Sequence, residues 1–314
     1  MADAEGGNQK SVTEFIHLGC RNTLELQTPL FLLFLVIYIV CMAGNLLIVV
    51  LVVTHQQLHT LMNFFLRNLS LLDTCYTSVI ALRLLAGLLA EDRTVSFRDC
   101  ITQFFFRALA CIECFLLAIM AYDHYLAICN LLSYNVMMNL RVCLQLVSAS
   151  WITGFSVSAL AVGMVPQLSF CSPHEINNFY CDMEELLKLS CTKSPLAEMI
   201  IPVSCSLVSL GPFLFIILSY ILILSAILQI ASSAGRQKAF STCASHLLVL
   251  SLYYVTIIIM YMSPSDEQSP TFHKALSLMY MVVTPVFNPI IYSLRSNEVK
   301  WGFTKVMLQN LVMI

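Results

Sequence analysis

Two carboxylates stand where an apolar sequence gives them no water. Asp73 lies within the stretch Phe64–Leu89 and Glu113 within Cys100–Ile128, each long enough to cross a bilayer. Ionisable side chains at such depth are costly and mark function by default. At a rise of about 1.5 Å per residue, each acid sits roughly 15 Å from the inner end of its stretch. Asn45 and Asn288 reach a similar level. Two carboxylates at one depth repel unless they share a proton or a cation, and oxygen ligands favour a hard cation. Two readings stay open. One is an ion-linked site in which Asp73 and Glu113 hold a sodium-like cation, with Asn45 and Asn288 beside it. The other is a protonated, hydrogen-bonded pair with a structural role. An intramembrane protease dyad is conceivable on paper. However, the flanking patterns do not suit a protease, and no GxSxG, HExxH or Walker string occurs. The chain reads as no enzyme, with no cofactor called for beyond bound sodium.

Arg107 is the next residue with chemistry to offer. It is either a pocket cation for an anionic or carbonyl-bearing ligand, or an arginine that reaches outward to Asp99 or a loop acid. Arg83 reads as structural. Of the thirteen cysteines, many fall inside apolar stretches and serve as small packing residues. Cys100, Cys171, Cys181 and Cys191 share one face instead. They are either free thiols or two disulfides, which persist on the oxidising side.

The elements that must position these residues are membrane helices. Only 11% of the 314 residues are charged and 59% are hydrophobic, with a mean hydropathy of +0.82. Those proportions cannot coat soluble domains of this size. A net charge of −2 without a basic run gives nucleic-acid binding no support. Seven stretches qualify as spans: Pro29–Val53, Phe64–Leu89, Cys100–Ile128, Val142–Val165, Ala197–Ala231, Phe240–Met262 and Phe272–Tyr292. The expected fold class is an all-α membrane protein, a seven-helix bundle spanning 29–292. A polar tail over 1–28 precedes it and lacks the apolar core of a cleaved signal peptide. Over 293–314, Trp301, Phe303, Val306, Met307 and Leu308 alternate with Lys300 and Lys305, which predicts a short amphipathic helix on the lipid surface. No internal repeat appears, which counts against many transporters. The basic residues divide evenly between the two faces, so positive charge does not orient the chain. Most acids, and the four clustered cysteines, lie on the face that carries the N-terminus. That face is read as extracellular and the C-terminus as cytoplasmic, in a multi-pass protein of the plasma membrane.

Particular strings carry a resemblance. Met120-Ala-Tyr-Asp-His-Tyr-Leu-Ala-Ile-Cys129 closes the third span. Lys238-Ala-Phe-Ser-Thr-Cys-Ala-Ser-His-Leu247 opens the sixth, and Pro285-Val-Phe-Asn-Pro-Ile-Ile-Tyr-Ser-Leu-Arg295 closes the seventh. Gly44-Asn45, Leu58-His-Thr-Leu-Met-Asn63 running on to Asp73, and Ser219-Tyr220 complete the set. Over nearly the whole chain these resemble the olfactory receptors, a branch of the rhodopsin-like G-protein-coupled receptors. The resemblance implies an outward pocket for a small odorant and an inward cleft for a heterotrimeric stimulatory G protein of the olfactory type, which raises cyclic AMP. It implies the disulfides Cys100–Cys181 and Cys171–Cys191, and a cation between Asp73 and Glu113. It implies coupling and switch roles for Asp123, His124, Tyr125, Tyr220, Lys238, Asn288, Pro289 and Tyr292. Family ligands sit among the outer halves of spans three, five, six and seven. The candidates here are Gln103, Phe106, Arg107, Ala110, Cys111, Leu207, Tyr254, Ile257, Ile258, Tyr261 and Tyr280. These are mostly apolar or aromatic with a few hydroxyls, which suits a small, largely apolar molecule with one polar group.

The departures from the family are specific. The family's Asp-Arg-Tyr reads Asp123-His124-Tyr125. Arginine offers a permanent charge and five fixed donors, whereas histidine is shorter and mostly neutral near pH 7; weakened coupling is expected. Leu61 and Asn63 replace the usual proline and tyrosine, and Leu131 replaces another proline. The stretch from Cys100 to Glu113 is one residue shorter than usual, which on a helix rotates a face by about 100°. The tail lacks the sequon the family glycosylates, and Asn68-Leu-Ser70 falls within the membrane. Two rival readings are a receptor-like protein that binds ligand without efficient coupling, and an ion-linked transporter.

Overall fold

The computed structural model describes residues 14–17, 27–89, 94–170, 175–176, 178, 180–191, 195–262 and 285–291. The order is β1 (Glu14–His17), α1 (Gln27–Thr54), α2 (Leu61–Leu89), β2 (Thr94–Ser96), α3 (Phe97–Ala108), α4 (Cys111–Cys129), α5 (Tyr134–Met137), α6 (Leu140–Met164), β3 (Glu175–Ile176), α7 (Met183–Lys188), α8 (Pro195–Gln229) and α9 (Ser233–Met262). Residues 285–291 are helical. Within the described residues, six segments are long and apolar enough to cross a membrane, with α3 and α4 together making one of them. The rest of the seventh expected span, and the expected amphipathic helix over 293–314, lie outside the described residues.

Burial follows the logic of a lipid solvent. On α8 the exposed Leu207, Leu210, Leu214 and Leu218 recur every three or four residues and form an outward stripe. On α2 the buried face carries Asn63, Ser70, Asp73 and Thr77 among leucines. Polar groups therefore point inward, and the outward surface of these helices is apolar, as a bilayer demands. The central rod is α4, which packs against α2, α6, α8 and α9. Its Leu116, Leu117, Met120 and Ala121 are fully buried. Gly154 makes the close crossing of α6 over this rod feasible: a Cβ there would stand 2.1 Å from Ile112 Cγ1.

The spans begin and end close to where apolar patterning predicts, and the differences have local causes. Asn139 caps α6 by accepting the Val142 N–H at 3.0 Å. Ser96 caps α3 in the same way through Asp99 N–H at 3.1 Å, so the third span starts at Phe97, three residues before Cys100. The sixth span starts at Ser233 rather than Phe240, because about two polar turns extend beyond the apolar pattern.

A small sheet caps the bundle. β1 is its middle strand, antiparallel to β2 with Phe15 opposite Val95, and parallel to β3. Phe15 is fully buried among Val95, Cys100, Phe104, Val165, Ile176 and Cys181. Its ring meets Phe170 edge-on at 5.4 Å. These strands of two to four residues are too short for alternation to announce them, and the all-helical expectation missed them.

Candidate functional site

The site is built along one rod, α3 with α4. Three groups of residues contact it at three depths.

At the outer end, Cys100 and Cys181 form a disulfide. Gln103 Oε1 accepts the Cys181 N–H at 3.2 Å. Arg107 pairs with Asp182 at 2.8 Å, and its guanidinium lies 4.9 Å from the Tyr180 ring centroid. A loop acid is thus what Arg107 reaches. Arg83 donates to the Thr94 carbonyl at 2.7 Å, a structural tie. Cys191 is also disulfide-bonded, and its expected partner Cys171 lies outside the described residues.

The rod is not a continuous α-helix. Between α3 and α4 the N–H groups of Ala110, Ile112 and Glu113 bond to carbonyls three residues back, at 3.0, 2.9 and 3.0 Å. Such 3₁₀ turns rotate about 120° per residue rather than 100°. Over about five residues the overwinding returns roughly the rotation of one. Gln103 and Arg107 both face the loop. Against this turn, Tyr253 of α9 donates its hydroxyl to the Ala110 carbonyl at 3.3 Å and lies 3.1 Å from Cys114 Sγ.

Other candidate pocket residues divide. Gln103, Ala110 and Tyr254 are buried, and Phe106, Cys111 and Ile257 are half-buried. Tyr254 packs on Phe213 with centroids 4.6 Å apart. Leu207 and Ile258 are 70% and 43% exposed and belong to the outward surface, because each falls on the lipid side of its helix. The side chain of Tyr261, and all of Tyr280, lie outside the described residues.

At mid-depth all four polar residues are at most 1% exposed, and three of them meet. Asn288 Nδ2 donates to Asp73 Oδ2 at 2.9 Å and to Glu113 Oε1 at 3.4 Å. Asn45 Nδ2 donates to the Pro285 carbonyl at 2.9 Å and to the Cys41 carbonyl at 3.1 Å. Backbone logic explains the Pro285 contact. A helical carbonyl accepts from the residue four positions on, here Pro289, which has no N–H. Asn45 supplies the missing donor. Its neighbour Gly44 lets the Pro289 ring approach, since a Cβ there would be 3.1 Å from it. Among the described residues, Asp73 Oδ1, Asn45 Oδ1 and Ser70 Oγ are buried without a hydrogen-bond partner. Ser70, three residues before Asp73 and so on the same helix face, escaped the sequence reading because one serine in a leucine-rich span carries no distinctive spacing.

At the inner end, Asp123 accepts from the Tyr134 hydroxyl at 2.8 Å. Burial, and then the adjacent carboxylate, push the Tyr134 phenol above its usual range. His124 Nδ1 donates to the Met120 carbonyl at 2.7 Å. Its ring stacks on His246 with centroids 5.1 Å apart and planes 11° from parallel. His246 Nδ1 is 2.6 Å from the Tyr220 hydroxyl, and its buried Nε2 has no partner among the described residues. Tyr125 stacks on Tyr122 and meets Asn130 Nδ2 through its hydroxyl at 3.4 Å. Pro289 is buried. Lys238 sits in α9 with its side chain outside the described residues, as is all of Tyr292. Neither His246 nor Tyr134 was singled out from sequence, although His246 lies within the span-six string.

The family model for olfactory receptors matches residues 34–310. A Mus musculus protein, olfactory receptor 5AP2, is 45% identical over 96% of this chain and 95% of its own length. The Homo sapiens olfactory receptor 10A7 is 44% identical over 97% of each chain. The Gorilla gorilla gorilla olfactory receptor 1G1 is 45% identical over 96% of this chain and 97% of its own.

Proposed function

Because the chain belongs to the olfactory receptor family, we propose that it binds a small, mostly apolar odorant on its outer side and activates a stimulatory, olfactory-type G protein to raise cyclic AMP. It is a multi-pass membrane protein with a seven-helix bundle fold, and it is not an enzyme. In this reading it sits in the plasma membrane with its N-terminus outside and its C-terminus in the cytoplasm.

One observation supports the reading most. The loop ties, the polar cluster and the stacked histidines all contact a single rod, α3 with α4. An odorant beneath the loop would rest against Gln103, Phe106, Arg107, Ala110, Cys111, Tyr254 and Ile257, with Tyr261 and Tyr280 completing the wall. Tyr253 fastens α9 to the overwound turn of that wall. A ligand pressing there loosens this fastening, and α9 swings its inner end away from α4. The swing separates His246 from His124 and frees Tyr220 to change partner. That is a discrete repacking of the kind that switches use. The cleft so opened, bordered by Asp123, His124, Tyr125, Lys238, Pro289 and Tyr292, receives the G protein.

Asp73, Glu113, Asn288 and Asn45 are the residues that would hold a sodium ion. Buried oxygens without partners on Asp73 and Asn45 fit such a cation. When bound, sodium would offset one of the two carboxylate charges, with a proton on the other acid, and hold the inactive packing. Without it, the Asn288 amide alone bridges both acids.

A second reading has its own observation. At His124 the family's arginine is absent and the ring is packed into a stack, which favours a receptor that binds ligand but couples weakly. A screen of odorants in cells, reading surface level and cyclic AMP together, separates the two readings. Odorant-dependent cyclic AMP supports the first; saturable binding without it supports the second. Ion flux in proteoliposomes in place of either would support a transporter.

A further inference from the structure

The inner end of the rod holds two imidazoles face to face. His124 of α4 and His246 of α9 stack with ring centroids 5.1 Å apart, and they are 7% and 1% exposed. Each ring has its Nδ1 engaged. His124 donates to the Met120 carbonyl at 2.7 Å, and His246 lies 2.6 Å from the Tyr220 hydroxyl. Histidines that bind metals are oriented in this way, because a proton held on Nδ1 leaves the lone pair on Nε2. With its Nδ1 donating to the Tyr220 oxygen, His246 is in that tautomer, and its Nε2 has no partner among the described residues.

The spacing suits a particular ion. Imidazole nitrogens are zinc ligands, at about 2.0–2.1 Å in a tetrahedral array. Two imidazoles on one such ion have ring centroids about 5.2 Å apart, close to the separation already present. The ring planes stand 11° from parallel, so the rings turn to aim both lone pairs at one point. That turn is about χ2, a soft torsion for histidine. We infer that His124 and His246 form a two-histidine zinc site that clasps the inner ends of α4 and α9 together. No group of three or more histidine, cysteine, aspartate or glutamate side chains able to hold a metal occurs among the described residues, so water fills the other positions of the tetrahedron. The site is a product of the departure at 124, since the family's arginine has no lone pair to give. Activation as proposed above parts His246 from His124, so bound zinc opposes it; this consequence rests on that reading.

The test uses purified full-length receptor in detergent, with zinc chloride as probe and magnesium chloride as the control for divalent charge. Melting temperature is read for wild type, H124R, H124F, H246F and H59N. Zinc should raise the melting temperature of wild type, and EDTA should reverse the rise. H59N loses an exposed imidazole elsewhere and should respond as wild type does. The variants at 124 and 246 should need at least about tenfold more zinc for the same rise. The proposal is overturned if wild type ignores zinc, if magnesium acts as strongly, or if any variant at 124 or 246 responds like wild type. It is overturned equally if H59N is the variant that loses the response. H124R restores the family's residue and H124F keeps an aromatic ring in the stack, so these two carry the test should H246F fail to fold. Odorant-driven nucleotide exchange on purified G protein then separates the site from its consequence. Zinc should lower exchange in wild type over the same concentrations that raise its melting temperature. If melting behaves as expected while exchange does not fall, the zinc site stands and the parting of α9 from α4 is what fails.

Discussion

His124 occupies the position where the family's arginine would carry a permanent charge, and its ring is spent on packing. Nδ1 is committed to the Met120 carbonyl and one face to His246. His124→Arg should raise odorant-dependent cyclic AMP severalfold at equal surface level; an unchanged response would remove the residue from the coupling step. Asn45 invites a cleaner energetic test. Replacing it with alanine leaves the Pro285 carbonyl with only the weak Cys41 thiol donor at 3.4 Å, a loss of about 0.5–1.5 kcal/mol. Pro289→Ala restores an N–H to that carbonyl. In the double variant the Asn45→Ala penalty, measured by thermal melting, should therefore shrink by half or more. Additive effects would show that Asn45 is not repairing the proline. At this scale the sequence was informative where chemistry is rare. Acids and amides in apolar spans are few, so Asp73, Glu113, Asn45 and Asn288 stood out. Ser70, Tyr253 and His246 did not, because their roles depend on what faces them from another helix.

Between residues and bundle, helices and strands are decided by local rules and then adjusted by contact. The places of the six spanning segments followed from apolar runs, whereas the polar start of α9 at Ser233 did not. The overwound turn at 109–110 did not, since nothing in Leu109-Ala110 forbids an α-helix. The turn is a tertiary adjustment that aims Arg107 at Asp182. Nor did the cap, whose strands are short and pair across residues far apart in sequence. Two substitutions probe these contacts. Gly154→Leu drives a side chain into Ile112, where even a Cβ would stand at 2.1 Å. Overpacking of this kind costs about 1–3 kcal/mol or more, and surface expression should fall steeply. Phe15→Ala empties the centre of the outer cluster, for which roughly 3 kcal/mol is the usual penalty. It should lower the melting temperature by several degrees while leaving the spans helical by circular dichroism. An unchanged melting temperature would mean that the N-terminal strand contributes nothing to the fold.

For the whole molecule, the distribution of polarity follows from the solvent. Leucines turned outward would aggregate in water and are solvated in lipid, whereas the polar groups of the interior serve as couplings between helices. A cation that binds one packing more tightly shifts the equilibrium toward it by mass action. Sodium chloride, compared with choline chloride at equal ionic strength, should therefore raise the melting temperature of wild type and leave Asp73→Asn unmoved. An equal rise in both would exclude the carboxylate pair as the sodium site. The central claim is that an outer pocket and an inner cleft are joined through one rod. The most direct measurement of it is odorant-dependent nucleotide exchange on purified stimulatory G protein, with this receptor and its Tyr253→Phe variant in lipid nanodiscs. The account predicts exchange that rises with odorant, and a raised odorant-free rate once the Tyr253 hydroxyl no longer fastens α9. Odorant that binds saturably while exchange stays flat in both proteins would contradict it.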